Sequence, residues 1–198
     1  MPSASILCFA GSTRKNSFNK SLVRVAMLGA EETGATTTFL DLAQYPLPLF
    51  NEDLEQESGL PENAKLLKKL MIEHHGLIVS SPEYNSSVSP LLKNAIDWIS
   101  RDSEGEAQLS LTAYKHKVAG LLAASPGAMG GLRGLFHLRD IFQNIGVIVC
   151  PEMFALPHAF DAFSEDGSLK NDKYAGMAKA VGRQVADICT AQRALVKC

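Results

Sequence analysis

The stretch Ile6-Leu7-Cys8-Phe9-Ala10-Gly11-Ser12-Thr13-Arg14-Lys15-Asn16-Ser17-Phe18-Asn19 passes from an unbroken apolar run into a glycine-led, hydroxyl-rich loop. A short continuous apolar run of this kind has the character of a strand covered on both faces. Beyond the loop, Leu22, Val25, Ala26 and Gly29 share one helical face, so the segment reads as strand, loop, helix. Backbone N–H groups at a helix start, together with the helix dipole, suit a phosphate. Gly11 permits a sharp turn; Ser12, Ser17 and Asn19 offer neutral hydrogen bonds, and Arg14 a charged fork. Taken alone, the loop fits equally an ordinary Ser/Asn helix cap followed by a surface arginine.

Four further apolar runs have strand length: Thr37 to Leu42, Leu77 to Ser81, Val118 to Ala124 and Val147 to Cys150. Helical patterns lie between them. Leu66, Leu67, Leu70 and Met71 form one face, with Lys65, Lys68 and Lys69 expected toward water. Ser89 is placed as an N-cap and Pro90 at the first helical position, ahead of Leu92, Ala95, Ile96 and Ile99. Another helix spans Leu132 to Asn144 and stops at Gly146. The last, Tyr174 to Arg193, carries a core stripe of Met177, Val181, Val185 and Ile188. Strand and helix alternate five times, which implies a parallel sheet with right-handed crossovers. The expected fold is α/β and flavodoxin-like: one domain over residues 1–198, a five-stranded parallel sheet of order 2-1-3-4-5, helices on both faces. Tyr45 to Pro61 reads as a long irregular loop, rich in Pro and acidic residues, of the kind that often serves function.

Composition narrows the function. With 198 residues and 46% hydrophobic, the chain has enough apolar surface for a sizeable core. A net charge of −2 leaves no basic face for nucleic acid, and lacks the heavy negative charge of an acidic electron carrier. Met1 to Ser5 has no basic leader, and Val118 to Ala124 falls far short of the roughly 20 apolar residues that span a bilayer. A cytoplasmic chain with no membrane partner is expected. Cys8, Cys150, Cys189 and Cys198 show no C-x-x-C pair and no zinc spacing, which predicts reduced, packed thiols and no metal.

Two more constellations follow later strands. Ser81-Pro82-Glu83-Tyr84-Asn85-Ser86-Ser87 reads as a rigid turn carrying an aromatic ring and amides, suited to a flat heteroaromatic ligand. Ser125-Pro126-Gly127-Ala128-Met129-Gly130-Gly131 brings glycines that let backbone approach a ligand closely. Each alone fits a structural turn. Together they follow the first, third and fourth strands on one edge of the sheet, where such folds bind ligands. Neither G-x-G-x-x-G nor G-x-x-x-x-G-K-[ST] occurs. A rival reading uses Cys8 and Arg14, which have the C-x5-R spacing of a phosphatase loop. The chain has no Asp-Pro to supply the usual acid, and Cys8 sits inside an apolar run where a thiol is inert.

Gly11-Ser12-x-Arg14, Pro82-Glu83-Tyr84-Asn85 with Leu92-Lys93-Asn94-Ala95-Ile96-Asp97-Trp98, and Ser125-x-Gly127-x-x-Gly130-Gly131 resemble the motifs of the NAD(P)H-dependent FMN reductases, a group including quinone, azo and chromate reductases. The resemblance runs from Ile6 to about Gly146 and takes in the Pro46 to Asp53 loop beside the flavin. It implies FMN as cofactor and NADPH or NADH as electron donor. Ser12, Arg14, Ser17 and Asn19 would hold the FMN phosphate and ribityl chain. Pro82, Glu83, Tyr84, Asn85 and Ser86 would border the isoalloxazine ring. Ser125, Gly127, Gly130 and Gly131 would meet its pyrimidine side. It further implies a homodimer or homotetramer and a small-molecule acceptor such as a quinone, free flavin, azo dye or chromate. The chemistry belongs to the flavin, so no side chain is assigned as catalytic; an exposed Glu83 and a lone His158 stay out of that role. With room for one flavin and no second dinucleotide fold, turnover is expected to be ping-pong, at a mouth formed by Phe50, Tyr84 and Met129. The alternatives are a flavodoxin-like electron carrier or redox sensor.

Overall fold

Ile6, Leu7, Cys8 and Phe9 are all buried, yet they serve two separate cores. Ile6 and Cys8 join Leu22, Ala26, Ile78, Leu122, Val181 and Val185 on one side. Leu7 and Phe9 join Leu67, Val79, Leu92, Leu121 and Phe142 on the other. That two-residue alternation between two apolar layers is what a strand with helices on both faces requires.

The computed structural model describes residues 3–103 and 105–195. In chain order its elements are β1 (Ser5–Ala10), α1 (Phe18–Glu31), β2 (Thr36–Leu40), a 3-10 turn (Leu42–Gln44), α2 (Glu52–Ser58), α3 (Glu62–Glu73), β3 (Gly76–Ser80), β4 (Glu83–Tyr84), β5 (Ser87–Val88), α4 (Pro90–Ile99), β6 (Val118–Ala124), α5 (Leu132–Asn144), β7 (Ile148–Leu156), α6 (Ala159–Ala162) and α7 (Asp172–Leu195). The main sheet runs β2-β1-β3-β6-β7, all parallel, which is the expected 2-1-3-4-5 order of its five strands. The residues just past the carboxyl ends of β1, β3 and β6 therefore lie together.

Helices α1 and α7 cover one face in close contact. A Cβ at Gly182 would come within 1.9 Å of the Ala26 carbonyl oxygen, and one at Gly29 within 2.1 Å of the Lys179 carbonyl. The small residues let the two backbones meet.

Several features differ from the sequence reading. Met177 is 43% exposed and stands outside the core stripe expected of the last helix, of which Val181 and Val185 are buried. Strand β7 continues well past Cys150, to Leu156. Pro151 is tolerated because β7 pairs only with β6 and shifts register there. The Tyr45 to Pro61 stretch contains α2, whose N-cap Asn51 accepts a 2.8 Å hydrogen bond from the Asp53 amide. Glu52, Asp53 and Glu55 sit in its first turn, where the helix dipole favours them. The Pro82 turn is followed by a two-residue hairpin, β4 to β5, with Asn85 (φ 50°) and Ser86 (φ 68°) both left-handed. That backbone matches the twist of a tight hairpin. Finally, Lys68 does not face water. It is buried, and its Nζ donates to the Arg101 carbonyl at 2.5 Å and to the Glu106 carboxylate, pinning the irregular segment after α4. Lys65 and Lys69 are exposed as expected.

Cys8, Cys150 and Cys189 are free and buried; Cys198 lies outside the described residues. No helix among the described residues is long and apolar enough to cross a membrane. Among the same residues no His/Cys/Asp/Glu cluster could hold a metal ion.

Candidate functional site

A cleft of about 210 Å3 opens at the carboxyl ends of β1, β3 and β6. The loop after β1 supplies Ser12, Arg14, Ser17, Phe18 and Asn19. The segment after β3 supplies Pro82, Glu83 and Tyr84, and Ser125 and Pro126 follow β6. Three loops singled out in the sequence thus converge on one cavity.

The floor is the start of α1. Its N-cap, Ser17, is 3% exposed, and its hydroxyl makes no capping bond. The first amides of a helix have no partner within it. A hydroxyl left without a capping bond where the residue lines the cleft, beside such amides, is a feature that an oxyanion would complete. Arg14 stands over the Phe18 ring at 4.9 Å and pairs with no carboxylate among the described residues, so its charge is available. The Ser12 hydroxyl accepts from the Arg14 amide at 3.3 Å, which shapes the turn between them.

Asn19 lines the same cleft, but its carboxamide is largely engaged. Oδ1 accepts from the Ser80 hydroxyl (2.8 Å) and the Ala124 amide (2.9 Å), and Nδ2 donates to the Ala124 carbonyl (3.0 Å). Its role in this geometry is to fasten α1 to the ends of β3 and β6.

Gly11 makes no left-handed turn. A Cβ there would lie 2.9 Å from Leu92 Cβ, so the residue serves close packing of the loop on α4. Its carbonyl accepts from the Ser89 hydroxyl at 2.7 Å. That hydroxyl also accepts from the Leu92 amide at 3.2 Å, the expected N-cap of α4. Asn94 and Trp98, on α4, both donate to the Pro48 carbonyl (2.9 and 2.8 Å), and Asn94 accepts from the Phe50 amide (2.8 Å). The motif around them holds the Pro46 to Asp53 loop against the domain.

Glu83 is committed away from the cleft. Its Oε1 accepts from Arg133 Nε (3.0 Å) and Nη2 (2.5 Å), and its Oε2 from the Gly134 amide (3.0 Å). Gly131, the N-cap of α5, has no side chain to cap with, so Glu83 supplies the carboxylate from the hairpin. Burial works to raise its pKa, but the Gly134 amide and the Arg133 guanidinium outweigh it and hold the carboxyl below its ordinary value. Gly130 (φ 63°) and Gly131 (φ 93°) are both left-handed, and Cβ atoms there would strike Ala155 and Ala123. Packing and backbone shape account for both. A Cβ at Gly127 would make ordinary contact with the Ser125 hydroxyl at 3.8 Å, and the Gly127 amide donates to that hydroxyl at 3.3 Å.

Of the expected mouth, only Tyr84 lines the cleft. Phe50 packs edge-on against Trp98, centroids 5.0 Å apart, and Met129 is exposed beyond the rim. Two aromatic walls were missed. Phe18 lies inside the quoted loop, and Phe160 stands edge-on to it at 5.5 Å, largely exposed. The rival thiol chemistry has no geometry to use: Cys8 points into the core beneath α1, and burial pushes its thiol far up from its ordinary value.

The same region matches known proteins. The profile of the family described as NADPH-dependent FMN reductase matches residues 4–161. An NADPH:quinone oxidoreductase of Arabidopsis thaliana is 34% identical over 169 residues, 81% of each chain. An NAD(P)H-dependent FMN reductase of Pseudomonas aeruginosa is 32% identical over 170 residues, 85% of each chain. Among solved structures, FerB, a flavoenzyme NAD(P)H:(acceptor) oxidoreductase from Paracoccus denitrificans, superposes with a TM-score of 0.77 at 28% identity, covering 95% of this chain and 98% of that one.

Proposed function

Since the chain belongs to the NADPH-dependent FMN reductase family, we propose that Arg14, Ser12, Ser17 and the first amides of α1 hold the phosphate of FMN. The protein is an FMN-dependent NAD(P)H oxidoreductase. Bound FMN supplies its two-electron chemistry, taking hydride from the nicotinamide donor and passing electrons to an acceptor. The uncommitted Ser17 hydroxyl, beside the open end of α1 and an Arg14 without a carboxylate partner, carries the phosphate assignment.

The remaining residues bind and orient. Pro82, Tyr84, Asn85 and Ser86, with the backbone of Glu83, border the ring from the hairpin side. Ser125 and Gly127 approach from the other side, on a loop whose path is set by Gly130 and Gly131. Asn19 keeps both loops in register with α1. No side chain in the cleft is required to move a proton. A single cleft supports donor and acceptor entering in turn, hence ping-pong turnover, with a quinone as acceptor. The exposed Tyr84, Met129 and Phe136 lie on the surface around this edge and support a homodimer or homotetramer. A cytoplasmic location fits a protein that draws on NADPH or NADH.

An absorbance spectrum of the purified protein tests the reading. Flavin bands that bleach with NADPH and return with a quinone are expected. A protein that neither carries nor takes up FMN would refute it.

A further inference from the structure

Arg14 rests on an aromatic ring. Its Cζ stands 4.9 Å from the centroid of Phe18, the first residue of α1, and among the described residues it has no acidic partner. The Phe18 ring is itself braced. Phe163 lies parallel to it, at an interplanar angle of 1° with centroids 6.1 Å apart, and Phe160 meets it edge-on at 5.5 Å. Offset-stacked and edge-to-face pairs are the two arrangements that the ring quadrupole favours. Phe18 and Phe160 line the flavin cleft; Phe163 does not.

The brace comes from far along the chain, between β7 and α7, and has a frame of its own. The Ala159 amide donates to the Ser125 carbonyl at 3.1 Å, which ties α6 to the loop after β6. Phe163 bridges to Leu169, a buried residue of the core beneath α1. The Ser164 amide donates to the Ser168 carbonyl at 2.8 Å, and the Lys170 amide to the Ala162 carbonyl at 3.0 Å. Asp166 accepts from the amide and the hydroxyl of Ser168, at 2.9 and 2.7 Å, and closes the turn. Backbone bonds therefore place the ring of Phe163, with no help from a ligand.

A cation laid on a ring keeps what a salt bridge would consume. The attraction comes from the negative face of the ring, so the guanidinium stays unneutralised and its N–H groups remain able to donate. A carboxylate in the same place would compete with a phosphate for both. An arginine waving in solvent also loses its rotamer freedom when a ligand arrives, and one already settled on a ring loses less. Resting on the reading of Arg14 as a phosphate ligand, we propose that Phe18, braced by Phe160 and Phe163, is the positioning residue that presents the Arg14 guanidinium to the FMN phosphate.

The test is a titration of the full chain, freed of flavin, with FMN and with riboflavin. Phe18→Leu keeps apolar bulk and loses the ring. It should weaken FMN about three- to tenfold, the size of a partly exposed cation–π contact, and change riboflavin less than about twofold. Phe18→Tyr, which keeps a ring face, should bind FMN like the parent. Pentafluorophenylalanine at position 18 keeps the shape and inverts the charge distribution of the ring. It should weaken FMN as Phe18→Leu does, and it decides the matter if Phe18→Leu does not fold. In an Arg14→Ala background, Phe18→Leu should have no further effect on FMN, because the ring acts through the guanidinium. Phe39→Leu removes a comparable contact, Arg24 at 3.8 Å from the Phe39 centroid, and should leave both flavins unaffected. The inference is overturned if Phe18→Leu or the fluorinated ring binds FMN as tightly as the parent, or if riboflavin weakens as much as FMN. It is also overturned if Phe18→Tyr behaves as Phe18→Leu does, if Phe39→Leu costs as much, or if Phe18→Leu weakens FMN equally without Arg14. A parent that binds both flavins alike, or an Arg14→Ala variant that keeps the full preference for FMN, would instead refute the phosphate reading on which this rests.

Discussion

Asn19 and Ala124, 105 residues apart, exchange a pair of hydrogen bonds, Nδ2 to the carbonyl at 3.0 Å and amide to Oδ1 at 2.9 Å. The carboxamide does for the last residue of β6 what a neighbouring strand would otherwise do. Through the Ser80 hydroxyl, at 2.8 Å from the same Oδ1, it reaches the end of β3 as well. The loop that would hold a phosphate is thereby fixed to the loops that would hold a ring.

Asn19→Ala removes three buried hydrogen bonds and leaves the Ala124 backbone and the Ser80 hydroxyl without them. A loss of roughly 2–4 kcal/mol in unfolding free energy is expected. Chemical denaturation of the apo protein measures it. A loss under about 0.5 kcal/mol, the size of an ordinary surface change, would contradict the linking role.

Glu83 makes stability depend on pH. Its folded pKa is lowered, so its contribution is present at neutral pH and lost as pH falls through the folded value. Glu83→Gln should cost roughly 1–2 kcal/mol at neutral pH, since the lost partners are a partly exposed Arg133 and one amide. Unfolding curves of parent and variant should converge below the ordinary carboxylate range. A gap that stays constant with pH would mean the carboxylate is not the source.

Much of this was legible in the sequence for physical reasons. Ile6 to Ala10 is apolar at every position because both faces are covered, and Ser89-Pro90 is a helix start whose capping bond the structure contains. What sequence could not reveal is where side chains are spent. Asn19 and Glu83 sit in ligand-bearing loops, yet their carboxamide and carboxylate bind Ala124 and Arg133 from far along the chain. Phe160 joins the cleft only because β7 runs on past Pro151. The short apolar run before that proline gave no sign of the extension. Lys68 lay in a lysine-rich face that looks solvated, and its partners come from a segment more than thirty residues away.

Two glycines of α7, alike in sequence terms, should respond oppositely to alanine. At Gly182 a Cβ would meet the Ala26 carbonyl oxygen, and α1 and α7 would have to separate. Gly182→Ala should lose about 2 kcal/mol or more. Gly176 faces open space, so Gly176→Ala should gain up to about 1 kcal/mol from helix propensity. Thermal unfolding of the two variants checks the pair; equal responses would contradict the helix contact.

Cys8→Ala should leave NADPH-driven quinone reduction within about threefold of the parent, because the thiol is buried beneath α1 and away from the cleft. Neither protein should hydrolyse p-nitrophenyl phosphate. Hydrolysis present in the parent and lost in the variant would restore the phosphatase reading.

The phosphate assignment at the start of α1 is tested most directly by titrating apo protein with FMN and with riboflavin, which lacks the phosphate, for the parent and for Arg14→Ala. The parent should prefer FMN strongly. In Arg14→Ala, FMN should bind about 10- to 100-fold more weakly while riboflavin changes little, as expected for the loss of one charged hydrogen bond to phosphate. An unchanged preference for FMN in Arg14→Ala, or a parent that binds both flavins alike, would contradict it.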